Sequence, residues 1–281
     1  MRRLLAPLAA FLLPSVHAEE EAKAPDFVRV TEAEEATRLQ TAVVRFEKDG
    51  VSVELLGAVH IADADYYDVL DKRFEQYDAL LFEGIGGSTP EPKPEAMEDL
   101  EVELVPREKE SLDGLHKIYN TAAEWLELSY QMSEIDYTKA NFVHADLSAA
   151  EFQRLQAQRD ESIIRFILKL SFQAERPERE PSTYGIIKAL INKDADGLKY
   201  ELVHTLASAD ELIASIEGDN VIITDRNTKC LEVLDEQIAL GRKKLGIFYG
   251  AAHFPDMEER LIEDGWTKVG EEWLTAWDIE G

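Results

Sequence analysis

Two histidines occupy the same place in a repeated segment. Gly57-Ala58-Val59-His60-Ile61-Ala62-Asp63 and Gly250-Ala251-Ala252-His253-Phe254-Pro255-Asp256 share Gly, Ala, His and Asp at matching offsets. Imidazole titrates near neutral pH, carries protons and ligates metals. Each copy follows an apolar, β-like run and leads into a helix-like one, so the unit delivers a histidine from a strand end twice. Two such half-sites meeting in one cleft would do chemistry that neither does alone. Three further groups fall at or just past apolar runs: Glu83 after residues 79–82, Asp146 at the end of residues 141–146, and Arg226 just after residues 220–224. Ligands of open parallel sheets bind beyond the carboxyl ends of the strands. Neighbouring strands lie about 4.8 Å apart, so groups at adjacent ends can share a ligand. The sequence has neither His-Glu-x-x-His nor a cysteine pair, so any metal site must be assembled from distant segments.

Alternating elements are what would position these residues. Residues 41–46 and 51–56 are β-rich and joined through Lys48-Asp49-Gly50, a hairpin signal. A helix to about residue 76 follows, with Tyr66, Val69, Leu70 and Phe74 as its apolar stripe, and residues 79–82 form the next strand. Residues 88–110, rich in Pro and Glu, read as a long loop, and residues 112–130 as a helix. Ser148-Ala149-Ala150-Glu151 is a capping box, and residues 155–218 are helical with breaks. Residues 220–224 read as a strand opening a second βαβ unit, whose helix runs to about residue 240 and whose next strand covers residues 245–249. A short helix (257–263) and a last strand (267–273) close the chain. The fold expected is α/β: a mainly parallel central sheet built from two βαβ-type half-units, with an N-terminal β-hairpin and a helical insertion or cap at about 111–218. A flexible segment over 19–40 would precede a single domain over 41–277.

Arg2, Arg3, the apolar residues 4–13 and Val16-His17-Ala18 describe a signal peptide cleaved after Ala18, which implies a secreted or periplasmic protein without a membrane anchor. The formal net charge of −27, or −29 once Arg2 and Arg3 are removed, makes nucleic acid and anionic lipid poor partners. The single cysteine, Cys230, excludes an intramolecular disulfide and reads as a small buried apolar residue.

The ordered set Gly57–His60, Glu83, Arg226 and Gly250–His253 resembles the TraB/TIKI superfamily, related in fold to ChaN-like and erythromycin-esterase-like proteins. The resemblance implies a divalent-cation-dependent peptidase-like enzyme, with manganese or cobalt favoured over zinc. His60, Glu83 and His253 would hold the ion, which lowers the pKa of its bound water and polarises a carbonyl. Glu83, or failing it Asp146, would act as general base. Arg226 would steady a substrate carboxylate or a developing oxyanion. The substrate would be a peptide or another small carbonyl compound. The rival reading is a non-catalytic protein that sequesters a peptide, metal or haem-like ligand in the same cleft, with Tyr249 as a haem contact. Plainer roles compete at single residues. A strand-end histidine often bonds a loop carbonyl, and Asp63 and Asp256 read as helix N-caps. His144 shares one side of a strand with Asp146, which suits a site.

Overall fold

The computed structural model describes residues 27–33, 36–86, 119–159, 181–214 and 218–280. The segments expected to form a leader (1–18), a long loop (88–110), the start of a helix (from 112) and the middle of an insertion (160–180) lie outside the described residues. In chain order the elements are β1 (Val28–Glu32), β2 (Ala36–Lys48), β3 (Val51–Ala58), β4 (Ile61–Ala62), α1 (Ala64–Phe74), β5 (Ala79–Phe82), α2 (119–126), β6 (Ser129–Tyr130), α3 (Gln131–Glu134) and β7 (Phe142–His144). They continue through α4 (Ala149–Arg159), α5 (Thr183–Asn192), α6 (Ala195–Ala214), α7 (Thr224–Ala239), β8 (Lys244–Gly250), a 3₁₀ turn (Ala251–His253), α8 (Phe254–Glu263) and β9 (Thr267–Glu280).

The fold is α/β. At the centre of its main sheet lie four parallel strands in the order β3-β8-β5-β7. The crossover from β3 through α1 to β5 skips one position, and β8, from the far end of the chain, fills it. That insertion makes the two histidine-bearing strands neighbours: Gly57 pairs with Tyr249 and Ala58 with Gly250. Antiparallel strands complete the sheet. β2 pairs with β1 and β3 along one edge and with β9 along the other. Asp49 and Gly50 turn the β2-β3 hairpin with φ of 49° and 77°, the left-handed values such a two-residue turn requires.

Both faces of the parallel strands are covered, which explains their continuous apolar runs. Leu56, Leu80, Phe82 and Phe248 meet Tyr66, Leu70 and Phe74 of α1 on one face. Leu55, Leu81, Ile247 and Tyr249 meet Cys230 and Leu234 of α7 and Met257 of α8 on the other. Val69, expected in the α1 stripe, is exposed, and Tyr67 takes its place in the core.

Gly246 shows how tight this packing is. A Cβ there would lie 2.7 Å from Leu80 Cδ1 and 2.9 Å from the Tyr77 ring, whose hydroxyl is bonded to Glu54. Gly246→Ala is therefore expected to destabilise the protein by about 1–3 kcal/mol. A fall in the urea midpoint with an unchanged slope is the expected signature; no shift would mean that the α1 face yields freely.

Three expectations are corrected. The segment expected to be flexible over 19–40 contains β1 and the start of β2, so the sheet begins by Val28, and β9 runs to Glu280 rather than ending near 273. Residues 220–224 form a turn that opens α7 instead of a strand. The Asn220 side chain accepts from Ile223 N at 2.8 Å, and Thr224 Oγ1 donates to Asn220 O at 2.7 Å, so local side-chain bonds outcompete the β-prone Val-Ile-Ile run. Asp63 stands at the N-cap position of α1 but its side chain makes no capping bond, and Asp256 lies inside the first turn of α8, whose N-cap is His253. Asp63 instead accepts from Asp278 N of β9 at 2.8 Å. At the end of the expected insertion, α6 packs on β1, β2, β9 and the 3₁₀ turn that carries His253. No described helix is long and apolar enough to cross a membrane.

Candidate active site

Arg226, the third residue of α7, reaches across the carboxyl ends of β8, β5 and β7. Its Nε lies 3.0 Å from Asp146 Oδ1, and its Nη2 lies 2.7 Å from Asp146 Oδ2 and 3.0 Å from Glu83 Oε2. Nη1 points to His253 Nε2 at 3.2 Å and to the Ile222 carbonyl at 3.5 Å. The side chains of Asp146, His253, Arg226 and Glu83 are 0%, 6%, 11% and 14% exposed. A guanidinium taken this far out of water is retained only if its donors are met, and here all of them are. Burial would weaken its hold on the proton, but Asp146 and Glu83 outweigh that and keep Arg226 charged.

Each partner is fixed by its own strand end. Burial alone would raise the Asp146 carboxyl. Arg226, with the amides of Gly84 and Leu147, outweighs that and holds it below the ordinary carboxylate range. Those amides donate at 2.8 and 2.7 Å, so Asp146 has no free lone pair and no solvent contact. Asp146 is thus the anchor of Arg226; a general-base role does not fit it. Glu83 Oε1 accepts from Gly250 N at 2.8 Å, which ties β5 to β8 beside the second motif. His144 does not face the cluster: its Nε2 donates to Gly84 O at 2.6 Å, the plain carbonyl-bonding role.

The two motif histidines part company. His253 is buried at the 3₁₀ turn, and its Nδ1 lies 2.6 Å from Asn227 Oδ1. Burial first, and then the positive charge of Arg226, keep His253 neutral well below its ordinary value of 6.5. His60 lies at a bend just past β3 and is exposed. Its Nδ1 lies 3.3 Å from Gln131 Oε1, and its ring is 4.9 Å from that of Tyr119. It stands outside the group that Arg226 binds. β6, paired with β4, and β9 pin this loop, with Trp277 Nε1 donating to Ile61 O at 2.8 Å. Of the motif glycines, Gly57 is the tighter, because a Cβ would come within 3.1 Å of Ala42 O and the neighbouring strand would have to give by a few tenths of an ångström. A Cβ at Gly250 would make only ordinary contacts.

The expected ligands for a divalent ion can be tested against this geometry. Glu83 Oε2 and His253 Nε2 are 3.8 Å apart, a spacing that one cation can bridge. The Arg226 guanidinium already bridges them, and His60 is turned to Gln131. Among the described residues no group of three His, Cys, Asp or Glu is placed to hold a metal ion. As arranged, His60, Glu83 and His253 do not form a three-donor site. The haem contact expected of Tyr249 is also absent: the residue is fully buried beneath Arg226 and His253, and its hydroxyl donates to Ala145 O. Burial pushes the Cys230 thiol up, in keeping with an inert core residue.

Sequence reasoning missed Asn227, which touches His253 from the side opposite Arg226. The adjacency of Arg226 and Asn227 at a helix start was the available signal. No family model matches this chain, no curated protein matches it, and no solved structure matches it.

Proposed function

We propose that the chain is a hydrolase of a carbonyl substrate, a peptide or an ester, with Glu83, Arg226 and His253 as its working groups. One observation carries the reading: a neutral imidazole and a carboxylate face one spot, 3.8 Å apart, across a permanently charged guanidinium. A nucleophilic water that takes over one of the hydrogen bonds Arg226 now makes would find proton acceptors on two sides. The same guanidinium supplies a fixed positive charge for the oxyanion that forms at the carbonyl. Together Glu83, Asp146 and Arg226 carry one negative charge, which offsets the charge His253 gains on accepting a proton. His60, exposed beside Tyr119, stands where a substrate would enter.

The TraB/TIKI resemblance supports hydrolysis and implies a metal. That route would require Arg226 to release His253 Nε2 and His60 to leave Gln131. The guanidinium-centred reading predicts instead that chelator-stripped protein cleaves 4-nitrophenyl acetate or members of a peptide library as fast as untreated protein, with no gain from manganese, cobalt or zinc. Turnover that appears only after manganese or cobalt is added would overturn it in favour of the metal-dependent enzyme. Tight ligand retention without turnover under every condition would favour the sequestering protein.

A further inference from the structure

We propose that Asn227, held in turn by Asp256, is a positioning residue that locks His253 in the tautomer carrying its proton on Nδ1. The hydrogen-bond directions are forced from both ends of one chain of contacts. At one end Arg226 Nη1 has only protons to offer, so His253 Nε2, 3.2 Å away, must accept and must be bare. A neutral imidazole then carries its proton on Nδ1, which must donate to Asn227. At the other end Asn227 Nδ2 faces two acceptors, the His253 carbonyl at 2.9 Å and Asp256 Oδ2 at 2.7 Å. That places the amide nitrogen towards Asp256 and leaves Oδ1 to receive the Nδ1 proton at 2.6 Å. The two assignments are independent and agree.

Asp256 is itself held by Arg260, 2.9 Å away, so the series runs between two arginines with no free choice of direction. This gives the aspartate of the second motif a role other than capping. It also explains why an amide rather than a carboxylate stands at 227. A carboxylate there would sit against Asp256, and it would draw a second proton onto His253, turning Nε2 into a donor aimed at Arg226. The bare Nε2 is the atom that the proposed hydrolysis needs, so the catalytic half of this inference rests on that reading; the tautomer does not.

Nitrogen-15 NMR of histidine-labelled full-length protein tests the lock directly. The wild type is expected to show His253 with a protonated Nδ1 and a bare Nε2. Asn227→Asp should convert it to the doubly protonated form. Asp256→Asn, a surface-side isostere that spares the core, leaves Arg226 to demand a bare Nε2, so the Nδ1–H form should remain while the Nδ1–H···Oδ1 bond to the loosened Asn227 amide weakens, read as an upfield shift of that proton. For an active wild type, Asn227→Asp should lower kcat by about 10²-fold or more with KM little changed, and Asp256→Asn by less. A wild-type proton on Nε2, or a singly protonated Nδ1–H form that persists in Asn227→Asp, would overturn the lock. Absence of turnover in a wild type that shows the Nδ1–H form would sink the hydrolase and leave the lock standing.

Discussion

Arg226→Met is expected to destabilise the folded protein by about 3–5 kcal/mol in urea unfolding, the largest stability effect of any single substitution considered. Methionine fills much of the volume, so the loss is electrostatic. Asp146, fully buried, would keep two amide donors but lose the guanidinium that balances its charge. Glu83 would face it without the bridge that now separates the two negative charges. Arg226→Lys keeps the charge, but an ammonium cannot reproduce the fork across Asp146, Glu83 and His253, so an intermediate loss is expected. Combining Arg226→Met with Asp146→Asn should recover part of the deficit, because the stranded charge is removed with its partner. A Met variant as stable as the wild type would show that Arg226 does not organise the strand ends.

The parts of this arrangement that the sequence made legible are those set by local pattern. Apolar, β-rich runs and the Asp49-Gly50 turn identify strands, and strand ends identify His60, Glu83, Asp146 and His253 as residues at one edge of a sheet. The placement of β8 between β3 and β5 is a long-range choice with no local signature, yet it alone makes the two motifs adjacent. Equivalence of the motifs was the natural inference from the repeat, and it fails for a physical reason. After Ala58 the chain leaves β3, bends at His60 and pairs with β6 through β4, whereas after Gly250 it coils directly into a 3₁₀ turn with Pro255 in the first turn of α8. One histidine is thereby left at the surface and the other is buried. The strand misread at 220–224 has the same lesson at shorter range: Val221-Ile222-Ile223 is β-prone, but Asn220 and Thr224 on either side close it into a turn.

The second large effect concerns His253. His253→Gln is expected to lower hydrolysis by about 10²–10⁴-fold, the usual worth of a positioned general base, and its pH signature separates that role from a merely structural one. In the folded protein the imidazole is held neutral well below 6.5, whereas in the unfolded chain it takes a proton near 6.5. Between those two values the unfolded chain binds a proton that the folded chain refuses, so acidification favours unfolding. The contribution of His253 to stability is therefore complete above 6.5 and declines below it, by at most about 1.4 kcal/mol per pH unit, until the folded-state value is reached. Asp146 also resists protonation when folded, but its window opens only below its ordinary 3.8, so it adds nothing to the slope between neutral and mildly acidic pH. Urea unfolding from neutral to mildly acidic pH should show this slope in the wild type and lose it in His253→Gln. The same depression moves the acid limb of kcat/KM: a base that stays unprotonated keeps working below 6.5. An acid limb centred at 6.5 that vanishes in the Gln variant would mean that the imidazole meets water freely, and the buried, Arg226-facing base would have to be given up.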